Sequence, residues 1–435
     1  MTAITLLVGL IFCGLALRAK PGAALALVIV CTLIWPEYLR IPMGPIQMSA
    51  PRLVALMLIM RFIIGGRHRK LQLGKIDAFV TCGWLWIIIA STFAGAEFSG
   101  IAEQIGRGLD TVLMFFAARL AIQSADDFQS MLLPLIFISV IMCVAGAVEA
   151  TTDYSPYNKL VSYGSQAWFV KEDEYRLGLL RAKASTGIHI YFGLSMALVV
   201  GFLWALRFGR KNKTLAKIAA IFAVIAALSS MSSGPWMGLF AFIFFSIYAN
   251  RTKFIKPSLW LVLCAAIFLE LASNRHFYNL VDYLSLSSET AWYRTRLLEV
   301  AVSQIQDFWL VGVGGDFPNH WGALIDGRLH VDIVNHFLIV GVYGGVLAMF
   351  FYIGSHVIAI KRSIRAWRMT LDPAQKGRLF SLAAILLALD FTSMSVGLFG
   401  PPLIFSNILL GTLVGVSTIP SKNSPLKRNQ TSAAR

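Results

Sequence analysis

Residues 333–358 read IVNHFLIVGVYGGVLAMFFYIGSHVI, without a single Asp, Glu, Lys or Arg. About 20 consecutive apolar residues suffice for a helix to cross a bilayer, so this run decides the class of fold. Similar runs lie on both sides of it. The candidates fall near 3–17, 23–39, 51–66, 77–96, 101–122, 129–149, 188–206, 215–231, 234–249, 257–273, 379–397 and 400–418; the first of them is short. No ten-residue alternation of a membrane β-barrel appears, which leaves helices. The expectation is an all-α, polytopic integral membrane protein of about 12–13 transmembrane helices.

Composition agrees. Of 435 residues, 57% are hydrophobic and 14% charged, and the mean hydropathy is +0.70. A soluble domain carries roughly 25% charged residues. Too few charges remain here for a hydrated skin, which excludes a soluble enzyme, a disordered chain, a disulfide scaffold and a collagen. Cys13, Cys31, Cys82, Cys143 and Cys264 are scattered within apolar runs, so they read as small buried hydrophobes rather than disulfides or metal ligands. The first charge, Arg18, follows the first apolar run, the wrong order for a cleaved signal peptide.

The net charge of +16 sorts by side. Connections near 18–20, 67–75, 207–217, 251–256 and 361–378, the C-terminal tail, Arg61 and Arg119 hold 26 of the 38 lysines and arginines. Beside them stand only Asp77, Asp126, Asp127 and Asp372. The other side keeps 12 basic and 17 acidic residues, with Asp390 alone inside a span. By the positive-inside rule the first side is cytoplasmic. The excess is a topology signal, and no nucleic-acid partner is expected. Residues 1–419 then form one membrane domain and 420–435 a basic cytoplasmic tail. Segments 150–187 and 274–331 become long extracytoplasmic loops, the larger in the C-terminal half. Connections of that length usually carry function.

Within the second loop, residues 287–306 read as an amphipathic helix, with Ser287 or Ser288 as cap and Tyr293, Leu297, Leu298, Ala301 and Ile305 as its apolar stripe. Arg296 has Glu299 at i+3, a local ion pair. Arg294 has no acid at helical spacing. Its planar fork of donors suits phosphate oxygens, or it anchors the helix at lipid headgroups. Gly312-Val313-Gly314-Gly315 is a weak signal on its own and reads as a tight turn. His336 opens the long apolar run on the outer face, where a neutral imidazole can take a proton from a hydroxyl or simply bond the backbone. His320, His330 and His336 match no common metal-ligand spacing, so neither a metal nor another cofactor is expected.

In the first loop, Arg176 has Glu172 and Asp173 at i−4 and i−3, whereas Arg181 lacks local acids and abuts the next span. His189 reads as a buried polar residue. Ser229-Ser230-Met231-Ser232-Ser233-Gly234-Pro235 breaks the pattern between two spans, as a turn or a polar cavity lining. Asp390 is a costly intramembrane acid, structural or functional.

Taken in order, these features are Arg181-Ala-Lys-Ala-Ser-Thr-Gly-Ile-His189, the Ser-Gly stretch, Arg294 with Leu298 and Ala301, Gly312-Val-Gly314, Asn335-His336-Phe-Leu and Gly341-Val-Tyr-Gly344-Gly345. The arrangement, over roughly 170–360, resembles the O-antigen ligase and Wzy-type polysaccharide polymerase family. The resemblance implies extracytoplasmic, metal-independent glycosyl transfer in the bacterial inner membrane. Its partners would be a glycan donor on undecaprenyl pyrophosphate and a glycan or lipid acceptor. It gives Arg294 and His336 catalytic roles, and places Arg181, Arg296, Arg176, Asn335, Gly312 and Gly314 at the substrate. The family often has Ser-Arg-Gly where this chain has Ser232-Ser233-Gly234, which favours polymerisation of an exported polysaccharide over ligation to lipid A core. A transporter or flippase is the alternative from another class; it predicts paired repeats and broken helices.

Overall fold

The computed structural model describes residues 1–164, 170, 172–209, 212–247, 257, 260, 264, 267, 288–313 and 318–419. Gly314, Ser287, most of the candidate span 257–273 and the tail 420–435 lie outside the described residues.

The chain is mostly helical. Its main helices are α1 (Thr2–Arg18), α2 (Pro21–Ile34), α3 (Ala50–Ile64), α4 (Lys75–Phe93), α5 (Phe98–Asp110), α6 (Val112–Ala121), α7 (Ala125–Ser130) and α8 (Leu132–Thr152). After the short α9 (Asn158–Val161) come α10 (His189–Leu206), α11 (Lys213–Ser229) and α12 (Ser233–Ile247). The C-terminal part holds α13 (Ser288–Ser303), α14 (Ile305–Phe308), α15 (His320–Ile325), α16 (His336–Met369), α17 (Pro373–Ser393) and α18 (Pro401–Thr418). Two small antiparallel hairpins, Ile41–Met43 with Ile46–Met48 and Tyr175–Arg176 with Leu179–Leu180, decorate one end. Among the described residues, five helical stretches are long and apolar enough to cross a membrane: Lys75–Phe93, Ala125–Thr152, His189–Leu206, His336–Met369 and Pro401–Thr418.

The helices reverse at two ends. At the first, Arg119 meets Asp77 at 2.9 Å and Arg67 meets Asp127 at 2.7 Å, while Arg61 donates to the Ala16 carbonyl. These are residues whose positions in the sequence put them on one side, and this is called the basic end below. The described residues of the connections 35–49, 153–164, 172–188, 230–232, 288–313, 318–335 and 394–400 lie at the other, the loop end.

Two of the apolar runs are not the single spans their sequence suggests. The run 101–122 breaks at Thr111 into α5 and α6. In α16, Gly344 and Gly345 leave helical geometry and the chain doubles back. The His336 and Phe337 rings meet Tyr352 at 5.1 and 5.7 Å, and Gly341 lies against Met349. Residues 336–343 are therefore a short helix antiparallel to 346–369. The long arm spans ~36 Å at 1.5 Å per residue.

The reversal rests on glycine. Gly345 has φ +65° and ψ −164°, and a Cβ there would lie 2.2 Å from the Leu310 carbonyl. Gly312, at φ +77°, lies equally close to the Val342 carbonyl, and Val346 N–H donates to Trp309 O at 2.7 Å. The loop 309–313 is thus keyed into the kink. Gly345→Ala is expected to lower stability by more than the ~1–3 kcal/mol that such backbone strain alone costs, because the Leu310 carbonyl must also move. Gly14→Ala, with open space around it in mid-helix, is expected to leave the melting temperature unchanged or slightly higher. Tryptophan-fluorescence melting of the purified variants checks both.

Candidate functional site

The reversal recesses His336. Tyr352, which its ring touches, lies seven residues beyond Gly345, ~10 Å below the tip of the hairpin. Asp390, near the end of α17, meets His356 Nδ1 at 2.6 Å, so α17 also ends well short of the tip. His336 and the end of α17 thus lie below the tip of the hairpin, at the loop end.

Leu398, in the connection between α17 and α18, donates its N–H to His336 Nδ1 at 3.2 Å. That places the ring proton on Nε2, which has no hydrogen-bond partner among the described residues. His336 is itself buried, and Nε2–H is the donor its ring leaves free among the described residues. Asn335 caps the helix: its Oδ1 accepts from Leu338 N at 3.0 Å and its Nδ2 donates to Met394 O at 2.9 Å. Its polar atoms hold the backbone that aims His336.

Arg294 lies on the buried face of α13, with Leu297 and Ala301, and is only 7% exposed. That face shares a core with Trp321, Ile333, Ile339 and Val342, and α13 packs chiefly on α15. Tyr293 fastens it, accepting from Asp332 N at 2.9 Å. Arg294 makes no ion pair among the described residues, and its Nε is buried without a partner. Burial pulls its basicity down with no acid to oppose it, yet a guanidinium stays charged at neutral pH. A buried, uncompensated cation is costly, and the cost is relieved when an anion arrives. Arg296, by contrast, is 44% exposed and pairs with Glu299 at 2.9 Å.

The two polar stretches of the middle region come together. Arg176 donates to Met231 O at 3.0 Å, Arg181 to Ser232 Oγ at 3.0 Å, and Ala182 N–H to Ser229 O at 3.1 Å. Arg181 is not free of acids, as its sequence neighbours suggested. It forms an ion pair with Glu174, because 175–180 is a hairpin that turns at Leu177-Gly178 and folds Glu174 back beside it. Burial still outweighs that acid and lowers the Arg181 guanidinium to about 10. The same hairpin takes Arg176 away from a helical pairing with Glu172 and Asp173. Lys183 meets Asp173 at 2.8 Å, and His189 is buried 3.7 Å from Glu174.

Gly312 lies against the kink backbone of α16, where a Cβ would meet the Val342 carbonyl. No family model matches the chain, and no curated protein matches it in sequence.

Several further polar residues lie at the loop end without having been singled out in the sequence. Arg107 of α5 donates to the Tyr343 hydroxyl at 2.6 Å and pairs with Glu103 at 3.0 Å. Glu37 is buried, held by Arg40 at 2.6 Å, and lies against Gly400. Arg52 and Asp110 form a buried pair at 2.5 Å. The Tyr191 hydroxyl has Arg107, Glu37 and Asp332 in electrostatic reach. Charged residues inside an apolar run are a signal the sequence carried, and the run 101–122 holds Glu103, Arg107, Asp110 and Arg119.

Proposed function

We propose that the chain is a polytopic protein of the bacterial inner membrane, its basic end cytoplasmic, that transfers glycan from an undecaprenyl-pyrophosphate carrier on the outer face. On this reading it polymerises the repeat units of an exported polysaccharide. The observation that carries it is Arg294: a buried guanidinium with no ion pair among the described residues, on a helix tied through Tyr293 to Asp332, four residues before His336. A lipid pyrophosphate is the anion such a cation fits, with charge-assisted, bidentate hydrogen bonds to phosphate oxygens. A recessed, half-dry site strengthens that contact at the moment the leaving group gains charge.

The reaction is a displacement at the anomeric carbon. The acceptor hydroxyl oxygen forms the new bond as the bond to the pyrophosphate oxygen breaks. Arg294 takes the growing charge on the leaving group. His336 donates Nε2–H to the acceptor oxygen and orients it. The hydroxyl proton leaves on a pyrophosphate oxygen or in water. Arg176 and Arg181 offer a second cationic patch at Met231–Ser232, beside the place where the resembled family carries its Ser-Arg-Gly arginine.

Deleting the protein and analysing lipid-linked intermediates tests the assignment. Accumulation of single repeat units on the carrier is expected. Full-length polymer stranded on the carrier, with uncapped lipid A core, would instead identify a ligase. An unchanged pool of intermediates would contradict both.

A further inference from the structure

Away from the loop end, two clefts open near the basic end. α4 packs chiefly on α16 and stands off from α6. The first cleft, about 450 Å³, runs between α3, α4, α5 and α6 and is lined by Ile59, Ile63, Trp84, Leu109 and Leu113, with His68 at its lower edge. The second, about 390 Å³, lies between Leu73, Ala78, Cys82 and Phe116. Phe116 lines both. Each is within the size range of a ligand site; the first is walled almost wholly by apolar side chains, and the second adds Asp77 and Thr81 to its apolar ones.

Cations adjoin the lining residues of both clefts in the chain, Arg69 and Lys70 between His68 and Leu71, and Lys75 after Gly74. Arg69 and Lys70, in the turn Arg67–Lys70 beside the first cleft, are exposed and have no ion pair among the described residues. Lys75 is exposed beside the second, where Arg362 also approaches Gly74. The acid in the second cleft, Asp77, is already neutralised: it takes Arg119 at 2.9 Å and Gly74 N–H at 2.7 Å. A negative headgroup there meets cations and no free carboxylate.

We propose that the paired clefts hold the two acyl chains of one anionic phospholipid, with Phe116 between the chains and the headgroup on Arg69, Lys70 and Lys75. The inference rests on the membrane reading above, with the basic end at an anionic leaflet. Two apolar clefts joined at one residue, below one cationic rim, match a two-tailed amphiphile of negative charge. Juxtamembrane cations of this kind recognise anionic lipids.

The test is native mass spectrometry of the purified chain in detergent, titrated with palmitoyl-oleoyl phosphatidylglycerol or with the phosphatidylcholine of the same chains. The wild type is expected to retain the phosphatidylglycerol preferentially. R69A/K70A should weaken that retention roughly 25-fold, about fivefold per cation, and leave phosphatidylcholine unchanged. Leu109→Trp, which fills the first cleft, should reduce retention of both lipids. Equal retention of the two lipids by the wild type, or unchanged phosphatidylglycerol binding in R69A/K70A, overturns the proposal. So does a Leu109→Trp chain that binds as the wild type does, since the cations would then be a surface patch. Arg294→Ala should retain the lipid fully, so the outcome is independent of whether glycosyl transfer is confirmed.

Discussion

Arg294→Ala is expected to lower glycosyl transfer by roughly 10²–10³-fold, the usual loss when one preorganised donor to a developing charge is removed. Surface polymer should disappear from a gel of whole-cell polysaccharide, and release of lipid pyrophosphate by the purified protein should fall by the same factor. Arg294→Lys should recover little, because a point charge does not reproduce the planar fork. Arg296→Ala serves as the control. Arg296 is half-exposed and already paired with Glu299, so its loss should change the rate less than twofold. The decisive companion is Arg294→Met. A buried cation without a counter-ion destabilises the fold, so an apolar replacement should fold as well as the wild type or better, while remaining inactive. A Met variant that fails to fold would make Arg294 a structural residue, and inactivity of the Ala variant would then say nothing about chemistry.

His336→Ala is expected to cost about 10²-fold, in the range of positioned donors and acid–base groups. The substitution that separates the two roles is His336→Gln. Its amide N–H falls near the place of Nε2–H. With Nδ1 engaged by Leu398 N–H, the ring acts as a donor, and Gln should keep activity within about tenfold of the wild type. Were His336 a general base, Gln would be as defective as Ala. Asn335→Ala should act through position alone. Losing the cap costs about 1 kcal/mol of stability and should loosen the segment that presents His336, raising KM more than it lowers kcat.

The sequence carried the helices well. Apolar runs at 51–66, 188–206, 215–231 and 400–418 coincide with helices to within a few residues, because length and hydropathy alone define a run that can bury itself. It also carried the α13 helix and the Arg296–Glu299 pair, which follow from a 3.6-residue repeat. It did not carry the reversal at Gly344-Gly345, since apolar residues continue on both sides and hydropathy does not record direction. The Arg181–Glu174 pair escaped for a related reason. Spacing rules for charges assume a helix, and here a hairpin turning at Leu177-Gly178, both with positive φ, brings the two together. Arg107 and Glu37 have partners nearby in sequence, Glu103 and Arg40, but Tyr343 and Gly400 reach them only when distant helices pack.

The most direct measurement reconstitutes the purified chain with an undecaprenyl-pyrophosphate-linked repeat unit in the presence of EDTA. The expected result is a ladder of longer lipid-linked glycans, with one undecaprenyl pyrophosphate released for each bond formed, lost in Arg294→Ala. Movement of the intact lipid-linked unit across the vesicle membrane, with no glycosidic bond formed and no carrier released, would contradict the account.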